Sequence, residues 1–171
     1  DDTTAQAATK KTTKITLNYK NTTMSVGDTL TLKVKVVKPA KSSKKATWKS
    51  SNKKIAVVNS TGKVFAKKSG TVTITAKSKT NPKVTAKCKI KVYKATKILR
   101  LTSKKFYTLN VGETLKLTAK VKIPKTGAAP ITWSTKDNKI AKVTAKGKVT
   151  AVSSGTTTIT GKSGKKKVTV K

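Results

Sequence analysis

The sequence predicts an all-β protein built from two antiparallel β-sandwiches in tandem. One observation is an internal repeat: Val-Gly-Asp-Thr-Leu at 26–30 returns 85 residues later as Val-Gly-Glu-Thr-Leu at 111–115. A second is that apolar residues alternate with polar ones along short segments, as in strands that bury one face. A third is the abundance of Val, Ile and Thr, which fit strands better than helices.

Other landmarks keep the same offset of 85 residues. They are Thr47-Trp48 with Thr132-Trp133, Gly62-Lys63-Val64 with Gly147-Lys148-Val149, and Gly70-Thr71 with Gly155-Thr156. A constant offset over dispersed landmarks indicates two copies of one folded unit, and such modules mostly space, display or bind. We therefore expect a flexible leader at residues 1–12, a first domain at 13–93 and a second domain at 94–171.

The strands of the first domain follow from alternation and turn residues. Ile15 and Leu17 begin a first strand, which resumes at Met24 and Val26 after an interruption. A second, long strand is predicted to face inward through Leu30, Leu32, Val34 and Val36, with Val37 outward. Strands three to five are expected at 46–50, 55–58 and 63–66. The inner residues of the last two are Val72, Ile74 and Ala76, and Val84, Ala86, Cys88, Ile90 and Val92.

The second domain repeats this order. Its predicted inner residues are Leu115, Leu117, Ala119, Val121 and Ile123 on the long strand, Thr157, Ile159 and Gly161 on the sixth, and Val168 and Val170 on the last. Seven short strands separated by regular turns are typical of an antiparallel sandwich. The join at 93–97 is not a Gly/Ser tether, so we expect the domains to bend little against each other.

The charge is extreme, with 41 basic residues, five acidic ones and a formal net charge of +36. Arg100 is the only arginine. Lysine is a strongly hydrated point charge, whereas arginine offers a planar fork for selective recognition. The composition therefore predicts long-range attraction to polyanions with little geometric selectivity.

Catalytic chemistry has little support. The chain holds no histidine, which excludes Ser-His-Asp and Cys-His arrangements. Asp28 and Glu113 occupy equivalent turns in different domains, and Asp137 lies in the turn after Trp133, so all three are interpreted as turn-capping residues. Cys88 stands alone and is interpreted as a small buried residue. No apolar run is long enough for a transmembrane helix. We predict no enzyme, no cofactor and no membrane span.

At these motifs the chain resembles the bacterial immunoglobulin-like group 2 domain, seen twice. The motifs are the Val-Gly-Asp/Glu-Thr-Leu turn, the Thr-Trp strand, the Gly-Lys-Val hairpin and the Ser-Gly-Thr strand. The resemblance implies immunoglobulin-like sandwiches used as extracellular, usually tandem modules of bacterial surface or secreted proteins, with no common catalytic site. Some such domains bind calcium through carboxylates, but one acid in the first domain and two in the second predict no metal site here.

Trp48 and Trp133 stand where an immunoglobulin-like sandwich keeps a core tryptophan, so core packing is favoured over a sugar-binding platform. The lysines are expected to face outward on both sheets and at loop clusters. The candidate polyanion-binding residues are Lys33, Lys35, Lys44, Lys45, Lys53, Lys54, Lys67, Lys68, Lys87, Lys89, Lys91, Lys165, Lys166 and Lys167. A dedicated nucleic-acid groove would instead gather cations on one side among stacking aromatics.

Three functions remain open from the sequence. The first is a semi-rigid spacer or adhesion segment, monomeric within a larger bacterial surface or secreted protein, whose lysine coat attracts anionic polysaccharide, cell-wall polymer or a host surface. The second is non-specific binding of extracellular nucleic acid. The third is an accessory carbohydrate-binding module of a secreted enzyme. A solvated lysine coat that binds nothing is the alternative to all three.

Overall fold

The computed structural model describes residues 11–171, which form 17 β-strands and no helix. The chain divides after Val92 into two compact units, the second being Tyr93–Lys171. Every strand pair of described register is antiparallel. The prediction of an all-β tandem pair of sandwiches is confirmed.

The expected flexible leader lies, for residues 1–10, outside the described residues. Its last predicted residue, Thr12, belongs to the folded first unit, because its side chain is fully buried. The hydroxyl of Thr12 shares a 2.7 Å hydrogen bond with that of Thr80, and the side-chain amide of Asn81 donates to its carbonyl at 2.8 Å. Placing Thr12 in the leader was wrong, because a polar residue can be buried when both its backbone and hydroxyl have partners.

The first unit contains nine strands. They are β1 (Lys14–Leu17), β2 (Asn21–Ser25), β3 (Thr29–Thr31), β4 (Val34–Lys38), β5 (Ala46–Ser50), β6 (Ala56–Val58), β7 (Lys63–Ala66), β8 (Gly70–Ser78) and β9 (Thr85–Tyr93). One sheet has the order β2-β9-β8-β5, a second β3-β7-β6, and β1 pairs with β4. Apolar residues from all three sheets join one buried cluster, so the sheets face each other across a single core.

The core of the first unit follows the predicted alternation on β8 and β9. Val72, Ile74 and Ala76 are buried, as are Cys88 and Ile90. On these strands the prediction of inner residues is confirmed, because each strand lies inside the four-stranded sheet and keeps a strict period of two.

The alternation predicted for the second strand fails within β4. Val34 pairs with Leu17 and Val36 with Thr16, which leaves Lys35 as an extra residue. Such a β-bulge shifts the side-chain phase by one residue. Val36 is therefore 45% exposed and Val37 is buried, the reverse of the prediction.

The second unit contains eight strands. They are β10 (Ile98–Leu101), β11 (Thr114–Lys116), β12 (Ala119–Ile123), β13 (Thr132–Thr135), β14 (Ala141–Val143), β15 (Lys148–Ala151), β16 (Ile159–Ser163) and β17 (Lys166–Val170). They form sheets of order β11-β15-β14, β13-β16-β17 and β10-β12. A register shift between Ile98 and Leu99 marks a second irregularity, and Ile123 beside it is exposed rather than inward as predicted.

The repeated Gly-Asp and Gly-Glu motifs build the same turn in both units. Gly27 and Gly112 each have φ of +92°, a conformation that glycine adopts without steric cost. The backbone N–H of Asp28 donates to the carbonyl of Ser25 at 2.9 Å, and that of Glu113 to the carbonyl of Asn110 at 3.0 Å. Equal geometry at both sites explains why this motif stands out in the repeat.

The two tryptophans pack against the core of their own unit, but to different depths. Trp133 is 7% exposed, whereas Trp48 is half-buried. The residue directly across the sheet accounts for the difference: Trp133 pairs with Gly161, and Trp48 pairs with Ala76. A Cβ atom at Gly161 would lie 2.8–3.0 Å from ring atoms of Trp133, so the indole occupies space that a methyl group takes in the first unit.

We predict that Gly161→Ala destabilises the second unit by about 1–3 kcal/mol, the cost of overpacking a filled core site. The measurement is denaturant unfolding followed by tryptophan fluorescence in a Trp48→Phe background, so that emission reports on Trp133 alone. Gly112→Ala measures the separate cost of a positive φ, because its added Cβ atom would meet nothing within 4 Å. If Gly161→Ala left the stability of the second unit unchanged, the steric account would be wrong.

Candidate polyanion-binding surface

The described carboxylates serve turns, as predicted. An Asp28 side-chain oxygen accepts from the backbone N–H of Ser25 at 2.9 Å. The equivalent oxygen of Glu113 accepts from Asn110 at 2.9 Å, and that of Asp137 accepts from the backbone N–H of Lys139 at 2.9 Å. The turn-capping interpretation is confirmed for all three.

Cys88 lies on β9 and is completely buried. Burial raises the pKa of its thiol above the usual 9.0, because the thiolate would lose its hydration. A protonated, inaccessible thiol is a poor nucleophile. The interpretation of Cys88 as a small buried residue is confirmed.

Among residues 11–171, no group of three or more His, Cys, Asp or Glu residues is placed to share a metal ion. Nor do these residues form a helix with the length and apolarity needed to cross a bilayer.

Every lysine among the described residues is exposed, and so is Arg100. All fourteen lysines predicted to bind polyanions, from Lys33 to Lys167, are therefore exposed. Burial of an ammonium group without a partner costs several kcal/mol, so strands of this composition must turn their lysines to water. The surface of each unit is consequently cationic on several sheets rather than along one cleft.

The outer face of the four-stranded sheet shows how this density is tolerated. The outward residues of β9 are Lys87, Lys89 and Lys91, and their partners on β8 are Thr75, Thr73 and Thr71. On the other side of β8, Thr75 pairs with Lys49 of β5. A threonine on the middle strand thus separates two lysine-bearing strands. Since neighbouring strands lie nearly 5 Å apart, the lysine Cβ atoms on the two outer strands are about 9–10 Å apart.

Four of the nominated lysines converge at one corner of the first unit. The carbonyl of Ile55 accepts from the backbone N–H of Lys67 at 2.7 Å and of Lys68 at 3.1 Å. Lys53 and Lys54 directly precede Ile55 in the chain. We call these four residues the lysine corner.

The lysine corner is absent from the second unit, although the backbone is the same. There the carbonyl of Ile140 accepts from Val152 at 2.8 Å and from Ser153 at 3.2 Å. Asn138 and Lys139 precede Ile140, so one lysine stands where the first unit has four.

The remaining nominated lysines do not join this corner. Lys44 and Lys45 precede β5, and Lys165 to Lys167 lie at the β16–β17 hairpin. Lys35 is the bulged residue of β4. Lys33 was predicted within the second strand but lies between β3 and β4, where its backbone N–H donates to the side-chain oxygen of Asn18 at 2.9 Å.

Directly opposed cations are a feature that the sequence analysis missed. Four cross-strand pairs carry like charges: Lys14 with Lys38, Arg100 with Lys120, Lys116 with Lys148, and Lys162 with Lys167. Directly opposite side chains have Cβ atoms about 5 Å apart, where like charges destabilise a sheet. An anion placed between two such heads would relieve the repulsion. Only strand register reveals these pairs, and the β10–β12 pair is additionally displaced by an irregularity.

A wide groove adjoins Trp48 where β5 and β6 form neighbouring edges of the two sheets. Its volume is about 780 Å³, and its lining includes Trp48, Lys49, Lys53, Thr75 and Lys77. The half-buried indole therefore presents part of its surface to a space rimmed by cationic and hydroxyl side chains. The interpretation of Trp48 as a core residue describes only part of its environment.

The repeated sandwiches and their shared turn and glycine geometry define immunoglobulin-like modules. The chain belongs to the bacterial Ig-like domain (group 2) family, whose model matches residues 11–88 and again residues 99–171. The resemblance inferred from the sequence motifs is confirmed, including its tandem character.

Several solved structures are similar to the chain. The crystal structure of the S-layer protein SbsC is 22% identical in sequence to this chain. The matched region covers 94% of this chain and 28% of the SbsC chain, with a TM-score of 0.40. A structure of SbsC domains 5–6 is 18% identical over 93% of this chain and 96% of its own, also with a TM-score of 0.40. Protocadherin gammaB7 EC3–6 is 14% identical over 92% and 47% of the two chains, with a TM-score of 0.40. The chain spans 19% and 28% of two of the longer SbsC chains. No curated protein matches in sequence.

We predict that Lys162→Glu stabilises the second unit by about 0.2–1 kcal/mol, because a repulsive cross-strand pair with Lys167 becomes attractive. Lys162→Thr should give part of this gain by removing the repulsion alone. The matched control is Lys142→Glu, whose cross-strand neighbour is the neutral Thr150. Unfolding is measured at low and high salt. An equal gain at Lys142, or a gain that salt leaves unchanged, would contradict the explanation by cation pairing.

Proposed function

We propose that the chain is a non-catalytic tandem segment of a bacterial cell-surface or secreted protein. It acts as a semi-rigid spacer or adhesion module with diffuse electrostatic affinity for anionic polymers such as cell-wall polymer, acidic polysaccharide or a host surface. The observation that carries the proposal is that all described basic side chains are exposed on several sheets of both units. Membership of a family of bacterial immunoglobulin-like domains supports the extracellular location.

The chemistry of the lysine side chains supports diffuse rather than selective binding of anionic polymers. Lysine heads attract phosphate, sulfate and carboxylate groups alike, because they act as flexible point charges. The lysine corner and the opposed pairs, such as Lys162 with Lys167, are where added negative charge relieves the most repulsion. A polymer can bind such a surface in many registers, which favours avidity over a defined pose.

The chain entering the second unit supports the spacer role. The backbone N–H of Lys94 donates to the carbonyl of Gly127 at 2.7 Å, and that of Lys97 to the carbonyl of Ile123 at 2.8 Å. Between them, the hydroxyl of Thr96 is buried and hydrogen-bonded to that of Ser163 at 2.8 Å. The residues that enter the second unit are therefore held by hydrogen bonds within that unit.

We predict that binding to a sulfated polysaccharide or to polyphosphate weakens steeply between about 50 and 500 mM salt, because counterions released from the polymer drive association. Replacing the lysine corner by glutamine, at Lys53, Lys54, Lys67 and Lys68, should reduce both the affinity and its salt dependence. The matched variant changes four lysines outside the corner, at Lys33, Lys35, Lys44 and Lys45, and it should lose less affinity. Titration by fluorescence anisotropy at several salt concentrations measures both effects.

Two results would count against this function. Affinity that stays constant across the salt range would exclude electrostatic capture. A preference for one nucleic-acid sequence over equally charged polysaccharide would favour the nucleic-acid alternative, since a lysine coat has no means to distinguish bases.

A second candidate is binding of a saccharide in the groove beside Trp48. The exposed part of this indole and the neighbouring Lys49 and Thr75 supply a stacking surface and hydrogen-bonding groups. If the groove binds a neutral oligosaccharide, emission of Trp48 in a Trp133→Phe variant should change at high salt. Emission of Trp133 in a Trp48→Phe variant should not change, because that ring is buried. An identical response of both rings, or no response, would exclude this candidate.

A further inference from the structure

The first unit carries two aromatic side chains at its surface, one on each side of the short strand β6. Phe65 on β7 is 42% exposed, and Trp48 on β5 is half-buried. Val57 of β6 pairs with Phe65 within its sheet and also lines the groove beside Trp48. Strand β6 therefore lies between the strand that carries Phe65 and the groove that Trp48 lines.

The orientation of Phe65 follows from the period of two along β7. Its neighbours Val64 and Ala66 are fully buried, so the phenyl ring points away from the core. The residues directly across from it are Thr29 on β3 and Val57 on β6. Both have short side chains, which leave the face of the ring open to solvent.

Lysines stand close to both aromatic rings. Lys63 and Lys67 are exposed and lie two residues before and two residues after Phe65. Along an extended chain this separates each lysine Cα atom from that of Phe65 by about 6–7 Å. Three further lysines line the groove beside Trp48: Lys49, Lys53 and Lys77.

The second unit lacks both exposed rings at the corresponding positions. Thr150 stands where the first unit has Phe65, and it pairs with Lys142. Trp133 is only 7% exposed, and its backbone N–H donates to the carbonyl of Ala145 at 3.0 Å. A phenyl ring that faces solvent adds nothing to a core. Its place beside an exposed indole and several lysines therefore points to a ligand rather than to packing.

Single-stranded nucleic acid has the two chemical features that this surface can use. Its phosphates are attracted by lysine whatever the sequence. Its unpaired bases have flat π-faces that stack on aromatic side chains. A duplex keeps those faces inside its own stack, and polyphosphate has none.

We propose that the surface around β6 is a binding site for single-stranded DNA or RNA. One base stacks on Phe65 and another on the exposed part of Trp48, while Lys53, Lys63 and Lys67 attract the phosphates. The site does not depend on base sequence, because every base offers a flat face. Binding here rests on the proposed electrostatic affinity for anionic polymers and adds a preference for unpaired bases.

The test compares three anionic polymers: a thymidine oligonucleotide, an oligonucleotide of the same length that lacks bases, and polyphosphate. Phe65→Thr installs the residue that the second unit has at this position. It should weaken binding of the thymidine oligonucleotide about 5–150-fold, which is the contribution of one stacked base, and leave the other two affinities unchanged. The ratio of the thymidine and base-free affinities should change little with salt, because stacking involves no net charge.

The matched control is Phe106→Thr. This ring is 69% exposed and follows two lysines in the chain, but it lies outside the strands of the second unit. Phe106→Thr should leave the binding of all three polymers unchanged. A loss of thymidine oligonucleotide affinity equal to that of Phe65→Thr would contradict a site at β6.

Tryptophan emission tests the same site with Phe65 intact. In a Trp133→Phe variant, the thymidine oligonucleotide should quench the emission of Trp48, because a stacked base contacts the indole, and the base-free oligonucleotide should not. Emission of Trp133 in a Trp48→Phe variant should respond to neither, since that ring is buried.

The outcomes separate this site from the general electrostatic function. A loss at Phe65 that depends on bases, together with quenching of Trp48, supports the site. If Phe65→Thr weakened all three polymers equally or none of them, the site would be excluded and electrostatic binding would stand. If the unaltered chain bound none of the polymers, both would fall. If Phe65→Thr weakened an oligogalacturonate as much as the thymidine oligonucleotide, the surface would be a saccharide platform and the nucleic-acid proposal would be wrong.

Discussion

Hydration of the ammonium groups is the constraint on which the rest of this structure depends. A chain with 41 basic residues can bury a core only if each strand turns aliphatic side chains one way and lysines the other. Strands provide that separation through their period of two, whereas a helix of this composition would carry lysine around most of its circumference. Threonine fills outward positions between lysines because it favours strands and adds no charge. Fold and surface chemistry therefore have one physical origin.

Much of the fold could be predicted because the repeat and the alternation are independent signals that agree. Strands with strict alternation, such as β8 and β9, have the predicted inner residues. Prediction failed where one residue alters the phase, as at Lys35 of β4, since a bulge leaves no mark in the apolar pattern. It failed again at Thr12, whose burial depends on partners almost 70 residues away, at Thr80 and Asn81. Contacts of that kind follow from tertiary structure rather than local sequence.

The sequence predicted that the lysines are exposed, but it did not predict which of them lie close together. Counting lysines identified the cations, but only the backbone hydrogen bonds to Ile55 show that Lys67 and Lys68 lie beside the segment that carries Lys53 and Lys54. The opposed pairs likewise require strand register, because Lys162 and Lys167 look unremarkable in sequence. Differences between the two units are also structural: Ala76 in place of glycine leaves Trp48 half-buried, whereas Gly161 admits the ring of Trp133. The two copies have thus kept the same turns at Gly27 and Gly112 while changing their surfaces.

The threonines of β8 have a consequence for the medium in which the protein works. They hold lysine-bearing strands about 9–10 Å apart, close to the Debye length of about 8–10 Å at the ionic strength of body fluids. Screening therefore weakens the repulsion between neighbouring rows in such a fluid, while in fresh water their fields would overlap and add. The salt concentration of the medium would thus set the range of the electric field around the lysine rows, without any ion binding at a defined site.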